Sequence, residues 1–189
     1  SVYRELKDEK AALAIEQLAN LYGMYGRQDE AESLLRDLLE QLEVNPPYDQ
    51  SILGITLLSL GNMCMSYDDD DEAAVLIERA LPILKDDPEC CEQAVDAASS
   101  LGKHYFGKEQ FDEAEDAYDQ ALTLATSRPQ TCARYTAEAL VRLSRLQTVV
   151  HQNYELAENL LVRAMDACEA AVPPLSVSLV RSEYARLAQ

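Results

Sequence analysis

Apolar residues return along the chain at helical spacing, and the whole pattern returns every 41 to 43 residues. LANLYGMYGRQDEAESLLRDLLE at 18–40 is followed by LGNMCMSYDDDDEAAVLIERALP at 60–82. LGKHYFGKEQFDEAEDAYDQALT at 101–123 and LSRLQTVVHQNYELAENLLVRAMD at 143–166 complete the series. Leu18, Leu60, Leu101 and Leu143 open the copies, each followed by a small residue: Ala19, Gly61, Gly102 and Ser144. Ala31, Ala73, Ala114 and Ala157 mark a second element. The last Ala step is one residue longer, which predicts an extra residue in the fourth turn.

Each copy predicts two helices joined by a short turn. Leu18, Leu21 and Tyr22 share a face of the first, and Ala31, Leu34, Leu35 and Leu38 a face of the second. The small residue lets the two helices approach closely. Pro46, Pro88, Pro129 and Pro173 keep the same time, and proline suits the first helical turn. Asp87 is an N-cap candidate before Pro88. Pro82 falls late in a second helix and is expected to bend or fray it. The pattern predicts helices at 3–25, 28–43, 48–67, 70–84, 88–107, 111–126, 130–150, 154–171 and 174–188. We therefore expect an all-α protein of four helix pairs and a final helix. One domain is expected over 1–189, with repeats at about 3–43, 48–84, 88–126 and 130–171 and a final helix at 174–188.

These residues resemble the tetratricopeptide repeat (TPR): a Leu, a small residue, a Tyr three later, an Ala nine beyond, and a bulky residue four after that. Leu18, Ala19, Tyr22, Ala31 and Leu35 match, as do Leu101, Gly102, Tyr105, Ala114 and Tyr118. Cys64 and Gln147 depart from the Tyr slot. The long period resembles that of kinesin light chains. The turn glycine is kept at Gly26 but becomes Asp68 and Glu109, so those turns are expected to avoid positive φ. The resemblance implies a right-handed α-solenoid whose first helices line a concave groove that holds peptides or partner helices.

In that family, positions i, i+3, i+7 and i+10 of each first helix face the groove. Here the central column is Asn20, Asn62, Lys103, Arg145 and Arg186, two amides followed by three cations. Arg142 lies beside it, and Leu58, Met65 and Phe106 stand at neighbouring groove positions. Asn can hold a peptide backbone through donor and acceptor; the cations would hold acidic groups. Alternatively, Glu138 and Asp96 neutralise the cations and leave a mixed solvated face. The chaperone-type carboxylate clamp fits poorly, because Glu16, Ser59, Asp96 and Ser100 stand where it wants Lys and Asn.

Charge sharpens this picture. The 189 residues carry 16 basic and 34 acidic side chains, net −18. Nucleic-acid binding is disfavoured, since phosphate contacts need cations, and so are anionic membrane surfaces. Residues 1–98 hold 7 basic and 22 acidic side chains; residues 99–189 hold 9 and 12. An acidic ligand should therefore prefer the C-terminal half. No apolar run approaches a membrane span, and no signal-peptide core opens the chain. The Ser at position 1 suggests a piece of something longer. Five Cys at irregular spacing read as reduced thiols of a cytoplasmic protein.

Candidate chemistry is sparse. The run Asp68–Glu72 lacks the alternation and central Gly of a calcium loop, and reads as a solvated turn favourable to the next helix N-terminus. His104 occupies a packing slot and His151 an exposed turn; two His without paired Cys ligands do not make a zinc site. Cys90 and Cys91 point about 100° apart on a helix, one buried and one exposed. No cofactor, metal or catalytic motif is expected, and the protein is read as no enzyme. The expected function is an adaptor or scaffold binding another protein's peptide or helix, with acidic segments favoured. The alternative is a structural spacer within a larger multi-subunit assembly.

Overall fold

The computed structural model describes residues 9–44, 50–65, 70–170 and 177–187. Among them the chain forms nine α-helices and no strand. Helices α1 (Glu9–Met24) and α2 (Gln28–Val44) form the first pair, α3 (Ser51–Cys64) and α4 (Asp70–Asp86) the second. Then come α5 (Cys91–Gly107) with α6 (Phe111–Ser127), and α7 (Pro129–Val149) with α8 (Tyr154–Ala170). The final helix is α9 (Ser178–Leu187). The chain divides into two compact units, Ser1–Cys90 and Cys91–Gln189. In unit 1, α1 packs on α2 and α3, and α3 on α4. In unit 2, α5 packs on α6, α6 on α7, α7 on α8, and α9 on α7 and α8.

Small residues set the spacing within each pair. Ala31, Ala73, Ala114 and Ala157 are all fully buried. A Cβ on Gly61 would meet Ile77 Cγ1 at 2.6 Å, and one on Gly102 would lie 2.9 Å from Tyr118 Cζ. The repeat glycines are therefore required by contact. Around them unit 1 buries Leu35, Leu38, Leu57, Leu60, Ile77 and Leu84. Unit 2 buries Leu140, Leu143, Leu146, Leu161 and Val180 in one cluster, against which Leu187 packs. Leu60, Leu101 and Leu143 are buried, but Leu18 is 39% exposed. The flank of α1 that carries Leu18 is exposed.

The turns correct one expectation. After α1, Gly26 adopts φ 73°, and the Arg27 N–H reaches back to the Tyr22 carbonyl at 2.8 Å. After α5, Glu109 adopts φ 60° and the Gln110 N–H reaches the Tyr105 carbonyl at 2.9 Å. The same left-handed cap is thus built without glycine, because two capping hydrogen bonds satisfy carbonyls that the helix end would leave open. After α7 the extra residue is accommodated: Gln152 takes φ 53° and the Asn153 N–H reaches Gln147 O at 3.0 Å. Asp68, Asp69, Pro46 and Pro173 lie outside the described residues.

The described prolines divide. Pro129 opens α7. Pro88 opens a 3₁₀ turn, Pro88–Cys90, where Asp87 Oδ1 accepts the Glu89 N–H at 2.9 Å. Pro82 does not end its helix: α4 continues to Asp86. Its ring is on the exposed side, while Ala80, Leu81 and Leu84 anchor the same turn from the buried side. The acidic run is also more than a solvated turn. Glu72 accepts a two-pronged bond from Arg36, both prongs 2.8 Å, which ties α4 to α2.

Candidate functional site

The first helices of unit 2 place their polar positions by simple spacing. Lys103 and Phe106 are three apart on α5, and Arg142 and Arg145 three apart on α7, so each pair projects from one helix face. Packing then joins the pairs. Lys103, Phe106, Gly107, Arg142 and Arg145 line one open pocket of about 200 Å³, with Tyr118 of α6 as a further wall. Four of the residues selected from the repeat pattern thus converge at one place.

The electrostatics of the pocket are lopsided. Arg142 lies 3.3 Å from Glu138, one turn earlier on α7. Among the described residues Lys103 and Arg145 have no carboxylate within ion-pair distance. The Arg145 guanidinium instead lies over the Phe106 ring, 5.5 Å from its centroid, a cation–π contact that leaves the charge unneutralised. Tyr118 is buried at 3% exposure. Burial pushes its phenol up to about 12, against the pull of nearby Arg142 and Arg145. It remains a neutral phenol throughout the physiological range. The repeat pattern marks Tyr118 only as the bulky packing residue of the second helix; its place in the pocket wall, against Gly102, comes from the packing of α6 on α5.

The other selected residues lie elsewhere. Arg186 is exposed on α9 and pairs with Glu183 at 3.2 Å. In unit 1, Asn20 is exposed, Asn62 and Met65 are half-buried, and Leu58 is buried. Glu16, at a groove position of α1, is buried and accepts a hydrogen bond from Ser59 Oγ of α3 at 2.8 Å. Burial pushes its carboxyl above the usual range, partly offset by that bond. The poor clamp match has this local use: Glu16 and Ser59 satisfy each other. One departure at the Tyr slot is likewise compensated. Gln147 is buried and donates to Glu115 Oε1 at 2.7 Å, and the same carboxylate meets His151 at 3.3 Å.

His104 is buried in unit 2. Cys90 is buried, whereas Cys91 is half-buried and its Sγ lies 3.3 Å from Cys132 Sγ. These two residues stand one repeat apart, a contact the cysteine spacing had not disclosed. Burial and the neighbouring thiol push Cys91 up to about 11, so it is not poised as a nucleophile. No group of three or more metal-binding side chains occurs among the described residues. No described helix is long and apolar enough to cross a membrane.

Fold and repeat register define the class: a TPR-like α-solenoid of helix pairs with a final helix. No protein-family model matches the sequence, and no curated protein matches it significantly. Solved structures do match. BtubC (BKLC) from P. vanneervenii superposes with a TM-score of 0.74 at 21% identity, covering 92% of this chain and 68% of that one. A kinesin light chain-like protein of Podosopora anserina with nearly identical TPR-like repeats gives 0.73 at 16% identity, covering 95% and 86%. The apo form of RapI gives 0.72 at 13% identity, covering 97% and 71%. These likenesses establish the fold.

Proposed function

We propose that this chain is a non-enzymatic protein-interaction module, and that the pocket of unit 2 holds acidic groups of a partner's peptide segment. One observation carries the reading. Lys103, Arg142 and Arg145 converge from two helices on one pocket, in a chain whose net charge is −18. Clustered cations repel one another, so a site that gathers them while acids abound elsewhere favours an anion. Each charge-assisted hydrogen bond is worth about 1.5–3 kcal/mol where water is excluded, and less at an exposed rim. Phe106 and Tyr118 supply the apolar lining that limits water. In unit 1, Asn20 and Asn62 are proposed contacts for peptide backbone. Five free thiols support a reducing compartment such as the cytoplasm.

The test uses a fluorescently labelled peptide rich in Asp and Glu. Arg145→Glu should weaken its binding by about tenfold or more and flatten its salt dependence, with the melting temperature nearly unchanged. Equal affinity of wild type and variant across a salt series would refute the pocket assignment. It would favour a structural spacer within a larger assembly.

A further inference from the structure

The charge of the pocket can be counted, and the count does not suit a single carboxylate. Lys103, Arg142 and Arg145 contribute three positive charges, and Glu138 at 3.3 Å from Arg142 returns one negative. The site is left at net +2. One Asp or Glu side chain would compensate half of that. A phosphomonoester carries about −1.5 to −2 at neutral pH and offers three acceptor oxygens.

The donors reach one pocket from two helices. Lys103 projects from α5, Arg142 and Arg145 from α7. A planar carboxylate is satisfied by one guanidinium fork; a tetrahedral phosphate can meet donors arriving from separate helices. The Arg142–Glu138 contact is longer than the roughly 2.7–2.9 Å of a strong charge-assisted bond, so Arg142 has capacity for a better acceptor. Phe106 and Tyr118 offer apolar surface for the methylene or methyl that carries the ester.

Resting on the acidic-peptide reading above, we propose that the pocket recognises a phosphorylated serine or threonine of a partner peptide, read by Lys103, Arg142 and Arg145 together. Phosphorylation of the partner then switches docking on, because the unmodified hydroxyl leaves the site at its full net charge. Glu138 tunes the site by holding Arg142 back until a stronger acceptor arrives.

The test compares short degenerate peptides carrying a fixed central phosphoserine with the same peptides carrying Glu or Ser there. Binding is followed by fluorescence anisotropy, with inorganic phosphate as a separate competitor. The phosphoserine set should bind about tenfold or more tightly than the Glu set, and the Ser set most weakly. Lys103→Ala and Arg145→Ala should each erase the phosphoserine advantage. Glu138→Gln, which removes the competing acid, should enlarge it; this gain cannot arise from misfolding. If the Glu set binds as well as the phosphoserine set, and both respond to Arg145→Ala, the phosphate assignment is overturned and the acidic-peptide reading stands. If neither set binds, or binding ignores Arg145→Ala, both readings fall. If inorganic phosphate displaces the probe at the phosphopeptide's own concentration, the site is one for soluble phosphate, and the peptide assignment is overturned.

Discussion

Glu109 adopts φ 60° where a glycine would be unstrained. A side chain in the left-handed region costs about 1–2 kcal/mol, and the two capping bonds to Tyr105 and Phe106 hold it there. Glu109→Gly should therefore stabilise the protein by up to about 1 kcal/mol, the flexibility glycine adds to the unfolded chain taking back part of the gain. Urea unfolding measures this, and an unchanged midpoint would contradict the strain. Glu16 makes a second residue-scale case. Burial raises its carboxyl in the folded state, so the folded protein holds that proton more tightly than the unfolded one. Its contribution is most favourable at acidic pH, below the unfolded value, and is lost as pH rises through the folded value. Glu16→Gln keeps an acceptor for Ser59 and removes the buried charge. Thermal melts should show the variant more stable at pH 7, with the difference vanishing in acid.

Between elements, distance is set by what is missing. The α5–α6 pair approaches through Gly102 and Ala114, with the Tyr118 ring against Gly102. Nothing at Ala114 can give way, because it has no exposed surface and lies within the main cluster of unit 2. Ala114→Leu should cost roughly 1–3 kcal/mol by overpacking, read as a lower midpoint in chemical denaturation. Retained stability would mean that the Ala column does not mark the helix contact. The substitution also presses on Tyr118, so the pocket wall should move with the core. The pocket wall and the packing of this pair are in that sense one structure.

At the scale of the whole molecule, self-repulsion is the prominent term. A net charge of −18 opposes the compact state, and residues 1–98 carry most of it. Local pairs such as Arg36–Glu72 and Arg79–Glu43 relieve part of the repulsion in unit 1, but they are exposed and individually weak. Raising salt should therefore stabilise the protein, because the Debye length shortens from about 10 Å at 0.1 M to about 3 Å at 1 M. The melting temperature should climb with sodium chloride over this range. A fall would mean that the surface ion pairs outweigh the net repulsion.

The repeat register, the helix pairs and the positions of the small contact residues were legible in the residue pattern. All are local or periodic: apolar spacing selects the helix face, and a recurring Ala or Gly is needed wherever two backbones approach. The family resemblance also nominated Lys103, Phe106, Arg142 and Arg145, which stand at or beside the positions that face the groove in that family. Other outcomes required the folded chain. Spacing alone could not show that the four converge on one pocket with Tyr118, nor that Arg186 turns to Glu183 on α9. Glu109 takes a left-handed φ because capping bonds outweigh its side-chain preference, a balance no single residue reveals. Gln147 is tolerated in an aromatic slot because Glu115 of another helix meets it, and Cys91 meets Cys132 through packing across a repeat. Periodicity encodes which face a residue occupies. Who stands opposite is decided only when distant helices pack.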